Sequence, residues 1–184
     1  MDIVNPYFRT ADSRAELEAL GIELVCSQYA NSNLDVPAMP KELYGAVTDK
    51  SRFAVLDVGG DDRGAVALGR FAPDILTEGN YEMAFVVNFY RPLTQDAASA
   101  AQVMREVEQA GGIRCTGLIN NSNLGADTCA ADVLDTAERI ETLVQMTGLP
   151  LLFTACRATL ARALEGKMGP LFPMERLQRA GLRE

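Results

Sequence analysis

The sequence predicts an α/β domain, a mostly parallel sheet with helices packed on both faces. Three observations lead there. Short apolar runs bounded by turn signals stand at Phe53–Asp57 (Phe-Ala-Val-Leu-Asp) and Glu82–Asn88 (Glu-Met-Ala-Phe-Val-Val-Asn), which is how strands buried on both faces read. Other stretches carry apolar residues at helical spacing; in Gln95–Ala110 the residues Ala97, Ala100, Ala101, Met104 and Val107 form one stripe, and Gly111-Gly112 stops it. Strands and helices alternate along the chain, the order that parallel strands joined by right-handed crossovers require.

Each element has its own warrant. Ser13–Leu20 is expected to be a short helix with Ser13 or Asp12 as N-cap, Glu16 in its first turn and Gly21 just past its end. Ile22–Cys26 is expected as a strand, and Pro40–Val47 as a second short helix with its proline near the first turn. After the apolar run at Phe53–Asp57, Ala65–Phe71 reads as a helix ended by Pro73. Beyond Gly112 come a strand at Ile113–Ile119, a polar turn at Asn120–Gly125, and the longest helix, Thr128–Thr147. That helix should turn Val133, Ala137, Ile140 and Val144 inward and stop at Gly148. Leu151–Thr154 is expected as the last strand, Ala158–Glu165 as the last core helix, and the tail from Gly166 as a helix-tipped surface extension.

At 184 residues the chain has room for one domain with a full core, so residues 1–184 are expected to form a single domain. A net charge of −8 argues against a broad nucleic-acid or anionic-membrane surface. No run of 18 apolar residues occurs and Asn5–Glu18 is polar, so neither a transmembrane helix nor a signal peptide is expected, and the location expected is cytoplasmic. Cys26, Cys115, Cys129 and Cys156 are scattered singles without metal-ligand spacing and read as reduced thiols. The sequence contains no histidine, which removes Ser-His and Cys-His catalysis.

Chemistry-bearing residues fall at predicted strand ends, where parallel sheets place their ligands. Asp57 ends its strand, and Gly59-Gly60 lets backbone N–H groups approach an anion closely. Asn88 ends the next strand, and Asn120-Asn121 the one after. Each has a structural reading beside the functional one. Asp57 is equally suited to capping the helix that follows, Asp61 and Asp62 to a solvated turn, and Asn120 and Asn121 to tight turn conformations. Arg63, Asn5 and Arg9 are weaker candidates.

Taken in order, four segments make the chain resemble the MinD/ParA group of P-loop ATPases, the SIMIBI-class family that includes CobQ/CobB-type ATPases. Asp2-Ile-Val-Asn-Pro-Tyr-Phe-Arg9 resembles the loop after that family's second strand. Asp57-Val-Gly-Gly60 resembles its Walker B acid and switch glycines, and Asp61-Asp-Arg-Gly-Ala65 the continuation of the switch. Gly117-Leu-Ile-Asn-Asn-Ser122 resembles the strand end that contacts adenine. The resemblance implies a three-layer doubly wound sheet and an ATP-dependent switch that works as a homodimer on a partner protein. It further implies that Asp2 orients the attacking water, Asp57 holds Mg²⁺, Gly59 and Gly60 approach the phosphates, and Asn121 (by register, more than Asn120) reads the base.

One departure is large. No G-x-x-x-x-G-K-[ST] occurs anywhere, so the first strand, P-loop and helix of the family are missing from these residues. The expectation is an N-terminally incomplete domain whose ATPase activity depends on a segment before Met1, and which alone binds MgATP weakly or not at all. The alternative is a doubly wound interaction or regulatory domain that does no nucleotide chemistry.

Overall fold

The computed structural model describes residues 14–25, 41–59 and 62–175. They divide into two compact units: one takes in the chain as far as Tyr81 together with Glu106–Ile113, the other Glu82–Arg105 and everything from Arg114 on.

The first unit is helical. Helix α1 (Arg14–Ala19) is a single exposed amphiphilic turn and a half, with Arg14 and Glu18 paired at 3.2 Å and Gly21 in the left-handed conformation past its end. Helix α2 (Lys41–Thr48) is followed by α3 (Asp62–Gly69) and, after two residues, by α4 (Ala72–Glu78). Pro73 was expected to end a helix running to Phe71; α3 stops earlier, at Gly69, and Pro73 lies in the first turn of α4, where a proline lacks only an N–H that has no intrahelical acceptor anyway. Tyr44 from α2 packs on the fully buried Phe71 with ring centroids 4.8 Å apart. A Cβ at Gly69 would come within 3.3 Å of the Ala110 carbonyl oxygen, so glycine here lets two helix backbones approach.

Two expected strands are not strands. Residues 22–25 and 53–57 take part in no ladder. Phe53 is 102 % and Val55 95 % exposed, the opposite of burial on both faces. A short apolar run becomes a strand only when its N–H and C=O groups meet a neighbouring strand, and among the described residues no strand pairs with either run. What joins them is an ion pair: Arg52 reaches Glu23 at 2.6 Å and Asp49 at 3.0 Å.

The second unit holds a four-stranded, all-parallel sheet flanked by helices. Its strands are β1 (Ala84–Val87), β2 (Gly117–Asn120), β3 (Leu151–Arg157) and β4 (Leu171–Met174), in spatial order β1-β2-β3-β4. The connections are α5 (Ala97–Gly111), then α6 (Ala130–Leu134) with α7 (Ala137–Thr147), then α8 (Ala158–Leu164). One face of the sheet is dry: Val87, Leu118, Asn120 and Thr154 are fully buried there. Val87 and Leu118 pack with Ala100, Ala101 and Met104 of α5 and with Ile140 and Leu143 of α7. A second cluster joins Val133, Cys156, Leu164 and Met168.

Several expectations change here. β1 was expected to be buried on both faces, but among the described residues it is an edge strand, with Val86 54 % exposed. Ile119 and Phe153 continue that row at half burial, and Phe172 stacks on Phe153 at 4.9 Å while remaining 52 % exposed. The tail from Gly166 supplies strand β4 where a helix-tipped extension was expected, because Leu171–Met174 finds a parallel neighbour in Thr154–Arg157. The expected long helix is broken into α6 and α7 at Asp135-Thr136. There the Thr136 N–H and hydroxyl both donate to the Val133 carbonyl, at 3.1 and 2.7 Å, and so tighten the turn.

A bulge marks β2 against β3: Leu118 pairs Leu151 and Ile119 pairs Phe153, leaving Leu152 as the extra residue. Leu152 lies over Gly117, where an added Cβ would sit 2.7 Å from its Cγ.

Candidate functional site

The carboxyl ends of β1 and β2 carry the densest polar constellation among the described residues. It begins with Asn120, fully buried in the row Val87–Asn120–Thr154 that faces the helices. Its Nδ2 donates to Thr136 Oγ1 at 3.0 Å, and its Oδ1 accepts from the Ser122 N–H (3.1 Å) and hydroxyl (2.7 Å). The Ser122 hydroxyl in turn accepts the Phe89 N–H at 3.0 Å. Asn120 is therefore a fixed post that ties β2, the following loop, the end of β1 and the break between α6 and α7 into one network.

Asn88 makes the second tie. Its Oδ1 accepts from the Tyr90 and Asn123 N–H groups at 3.0 and 3.3 Å, and its Nδ2 donates to the Asn123 carbonyl at 3.2 Å. Asn123 closes its own turn through Asn121 O and Gly125 N, and Thr128 bridges Leu124 N and Gly125 O. Arg157, at the end of β3, donates to the Thr128 carbonyl. The loops after β1 and β2 are thus tied to each other by hydrogen bonds.

A charged clamp flanks them. The Arg139 guanidinium lies 5.6 and 5.7 Å from the ring centres of Phe89 and Tyr90, donates to Gln95 O at 3.2 Å and pairs with Asp135 at 2.5 Å. Tyr90 donates its hydroxyl to Asp132 O at 2.8 Å; burial, with the charges of Asp135 and Asp132, pushes its pKa up. Asp132 accepts the Cys129 N–H at 2.7 Å, and hydrogen bonding from the Cys129 N–H and then its thiol holds its carboxyl below the ordinary carboxylate value.

Of the residues singled out by sequence, this region brings together Asn88, Asn120 and Asn121. Asn120 spends every side-chain hydrogen-bonding group it has on the fold, apart from one amide hydrogen. Asn121 is half-exposed, and its amide makes no hydrogen bond among the described residues. Asp57 is exposed on a segment without regular structure, in the first unit. Gly59 lies so close to Gly64 that a Cβ on Gly64 would fall 2.4 Å from the Gly59 carbonyl oxygen. Asp2, Asn5, Arg9, Gly60 and Asp61 lie outside the described residues, and Asp62 and Arg63 open α3. Tyr90, Ser122, Thr128, Thr136, Arg139 and Arg157 were not singled out. Only Thr136 gave a signal, a hydroxyl residue on the otherwise apolar stripe of a long helix.

Among the described residues there is no group of three His, Cys, Asp or Glu side chains that could hold a metal ion, and no Gly-Lys-Ser/Thr loop occurs in the sequence. No buried side-chain nitrogen or oxygen among them lacks a partner, so the polar network is closed on itself. A cavity of about 340 Å³ lies elsewhere, at the amino end of β3, lined by Ile140, Val144, Leu151 and Met168 with Glu141 and Lys167. No family model, curated protein or solved structure matches the chain.

Proposed function

We propose that these residues form the base-binding and switch portion of a nucleotide-dependent switch of the MinD/ParA type, with the triphosphate and Mg²⁺ held by a segment outside them. The observation that carries the reading is the placement of Asn121. Its half-exposed amide stands beside an internally satisfied Asn120, at the carboxyl end of a parallel strand next to the edge strand β1. In doubly wound sheets ligands bind outside the strand ends where the strand order reverses. Among the described residues the order β1-β2-β3-β4 runs one way only, so in this reading the reversal lies beyond β1, and Asn88 and Asn121 border it. A second helix layer there would also cover the half-exposed row at Val86, Ile119, Phe153 and Phe172. Switching belongs to Asp57–Ala65, and the working form is a cytoplasmic homodimer that engages a partner protein. Among the described residues no helix is long and apolar enough to cross a membrane.

The test is an amide-resolved NMR titration of the 184-residue chain with MgADP, MgATP and adenosine. The expected result is a dissociation constant near millimolar, about −4 kcal/mol. Shifts should be confined to the loops at Asn88–Tyr90 and Asn121–Gly125, equal for the three ligands, lost in Asn121→Ala, and without hydrolysis. A micromolar constant for MgATP overturns the weak-binding part, and no shift at about 10 mM ligand overturns the base site. Intact mass of the protein from its own cells tests the outside segment: a mass above 19.9 kDa, with upstream peptides reaching a Gly-Lys-Ser/Thr loop, supports it.

The closed polar network favours a second reading, a doubly wound interaction domain without nucleotide chemistry. Asp57→Ala separates the two in the intact protein. It abolishes the nucleotide response under the first reading and alters only stability or partner binding under the second.

A further inference from the structure

We propose that the cavity at the amino end of β3 binds a free aliphatic amino acid such as leucine, its side chain inside and its two charged groups met by Glu141 and Lys167. The inference does not rest on nucleotide binding. All four strands are parallel, so this cavity and the loops carrying Asn88 and Asn121 belong to opposite ends of the sheet.

The cavity, about 340 Å³, opens along the seam between the two buried clusters. Ile140, Val144 and Leu151 reach it from the cluster built on Val87 and Leu118, and Met168 from the one built on Val133 and Leu164. Such walls offer a water molecule few hydrogen-bonding partners and an aliphatic body many contacts. Met168 adds a flexible, polarisable side chain that adapts to what lies against it. The volume is at the small end of the range for ligand pockets, which calls for a short aliphatic chain. The charged groups then choose among short aliphatic molecules. Glu141 and Lys167 both line the cavity, both are exposed, and no ion pair joins them. The Glu141 carboxylate makes no hydrogen bond to any described residue. Lys167 donates to the Ala163 carbonyl at 3.1 Å and has two more N–H groups to give. A carboxylic acid would set its charge against Glu141, and an alkylamine its charge against Lys167. A zwitterion meets each with the opposite sign.

An amide-resolved NMR titration of the 184-residue chain with leucine, glycine, leucinamide and isocaproate tests this. Leucine should shift residues 140–151 and 167–169 with a dissociation constant near millimolar. Leucinamide lacks the carboxylate and isocaproate the ammonium, and each should bind at least about threefold more weakly. Glycine, without a side chain to bury, should shift nothing. Two substitutions at exposed positions supply a stricter check. Glu141→Gln should weaken leucine and tighten isocaproate, and Lys167→Gln should weaken leucine and tighten leucinamide, both with an unchanged far-UV spectrum. Opposite signs of this kind do not arise from apolar burial alone. The absence of shifts at about 20 mM leucine overturns the proposal. So do equal constants for leucine, leucinamide and isocaproate, or constants indifferent to both substitutions.

Discussion

Asn120 shows how much one side chain can carry. It sits in a row whose neighbours Val87 and Thr154 are also fully buried, and its amide satisfies Thr136 on one side and Ser122 on the other. Asn120→Ala leaves hydroxyls and an N–H without their partner in a dry layer and should cost about 1–3 kcal/mol, measured by urea unfolding. Asn121→Ala, one residue on and half-exposed, should change stability by less than about 0.5 kcal/mol. The contrast separates a post of the fold from a residue available to a ligand, a distinction invisible in the dipeptide Asn-Asn. Gly117 is the apolar counterpart. Because Leu152 fills the space where its Cβ would be, Gly117→Ala should destabilise by about 1–3 kcal/mol. Pairing it with Leu152→Ala should cost less than the two single losses added together, since one substitution relieves the crowding the other creates.

At the level of elements, the loops after β1 and β2 hold their shape through caps and clamps more than through core. Arg139 binds the loop after β1 to α7 by ring contacts and by the Gln95 carbonyl. Arg139→Ala should cost about 1 kcal/mol and raise amide exchange across residues 89–95, while α8 is unaffected. Helix starts bring in pH. Asp96 accepts the Ser99 N–H at 2.8 Å at the start of α5, and Asp132 accepts the Cys129 N–H at the start of α6. Hydrogen bonding, above all from the Ser99 N–H and the Cys129 N–H, lowers each carboxyl below its ordinary value of 3.8. A carboxyl lowered by folding contributes its stability above the unfolded value and loses it as pH falls through the folded one. Urea midpoints should therefore drop on acidification below about pH 4, and Asp96→Asn with Asp132→Asn should flatten that slope.

Across the whole molecule, the second unit contains the sheet and both buried clusters, whereas the first has fully exposed apolar side chains on a segment without regular structure. Chymotrypsin at low protein concentration should cut after Phe53 well before Phe89, which is buried and held by Ser122. Mass spectrometry of the first fragments checks this.

Much of the second unit was legible in the chain. Periodicity located α5 and α8 because an amphipathic helix carries its burial pattern in its own spacing, and glycine marked a helix end because left-handed backbone at Gly148 is a local demand. The acidic charge, the lack of histidine and the missing phosphate loop were likewise determined by sequence alone. What only the tertiary structure decided were matters of partnership. Phe53–Asp57 and Leu171–Met174 are both short apolar runs, yet the second is a strand because Thr154–Arg157 lies alongside it, and the first is not because no described strand does. Thr136 closes on the Val133 carbonyl where its spacing would continue a helix, and its hydroxyl is met there by Asn120 from a strand 16 residues earlier. A helix closes its hydrogen bonds within itself and can be read from its own residues; a strand or a buried amide closes them only with something distant in the chain.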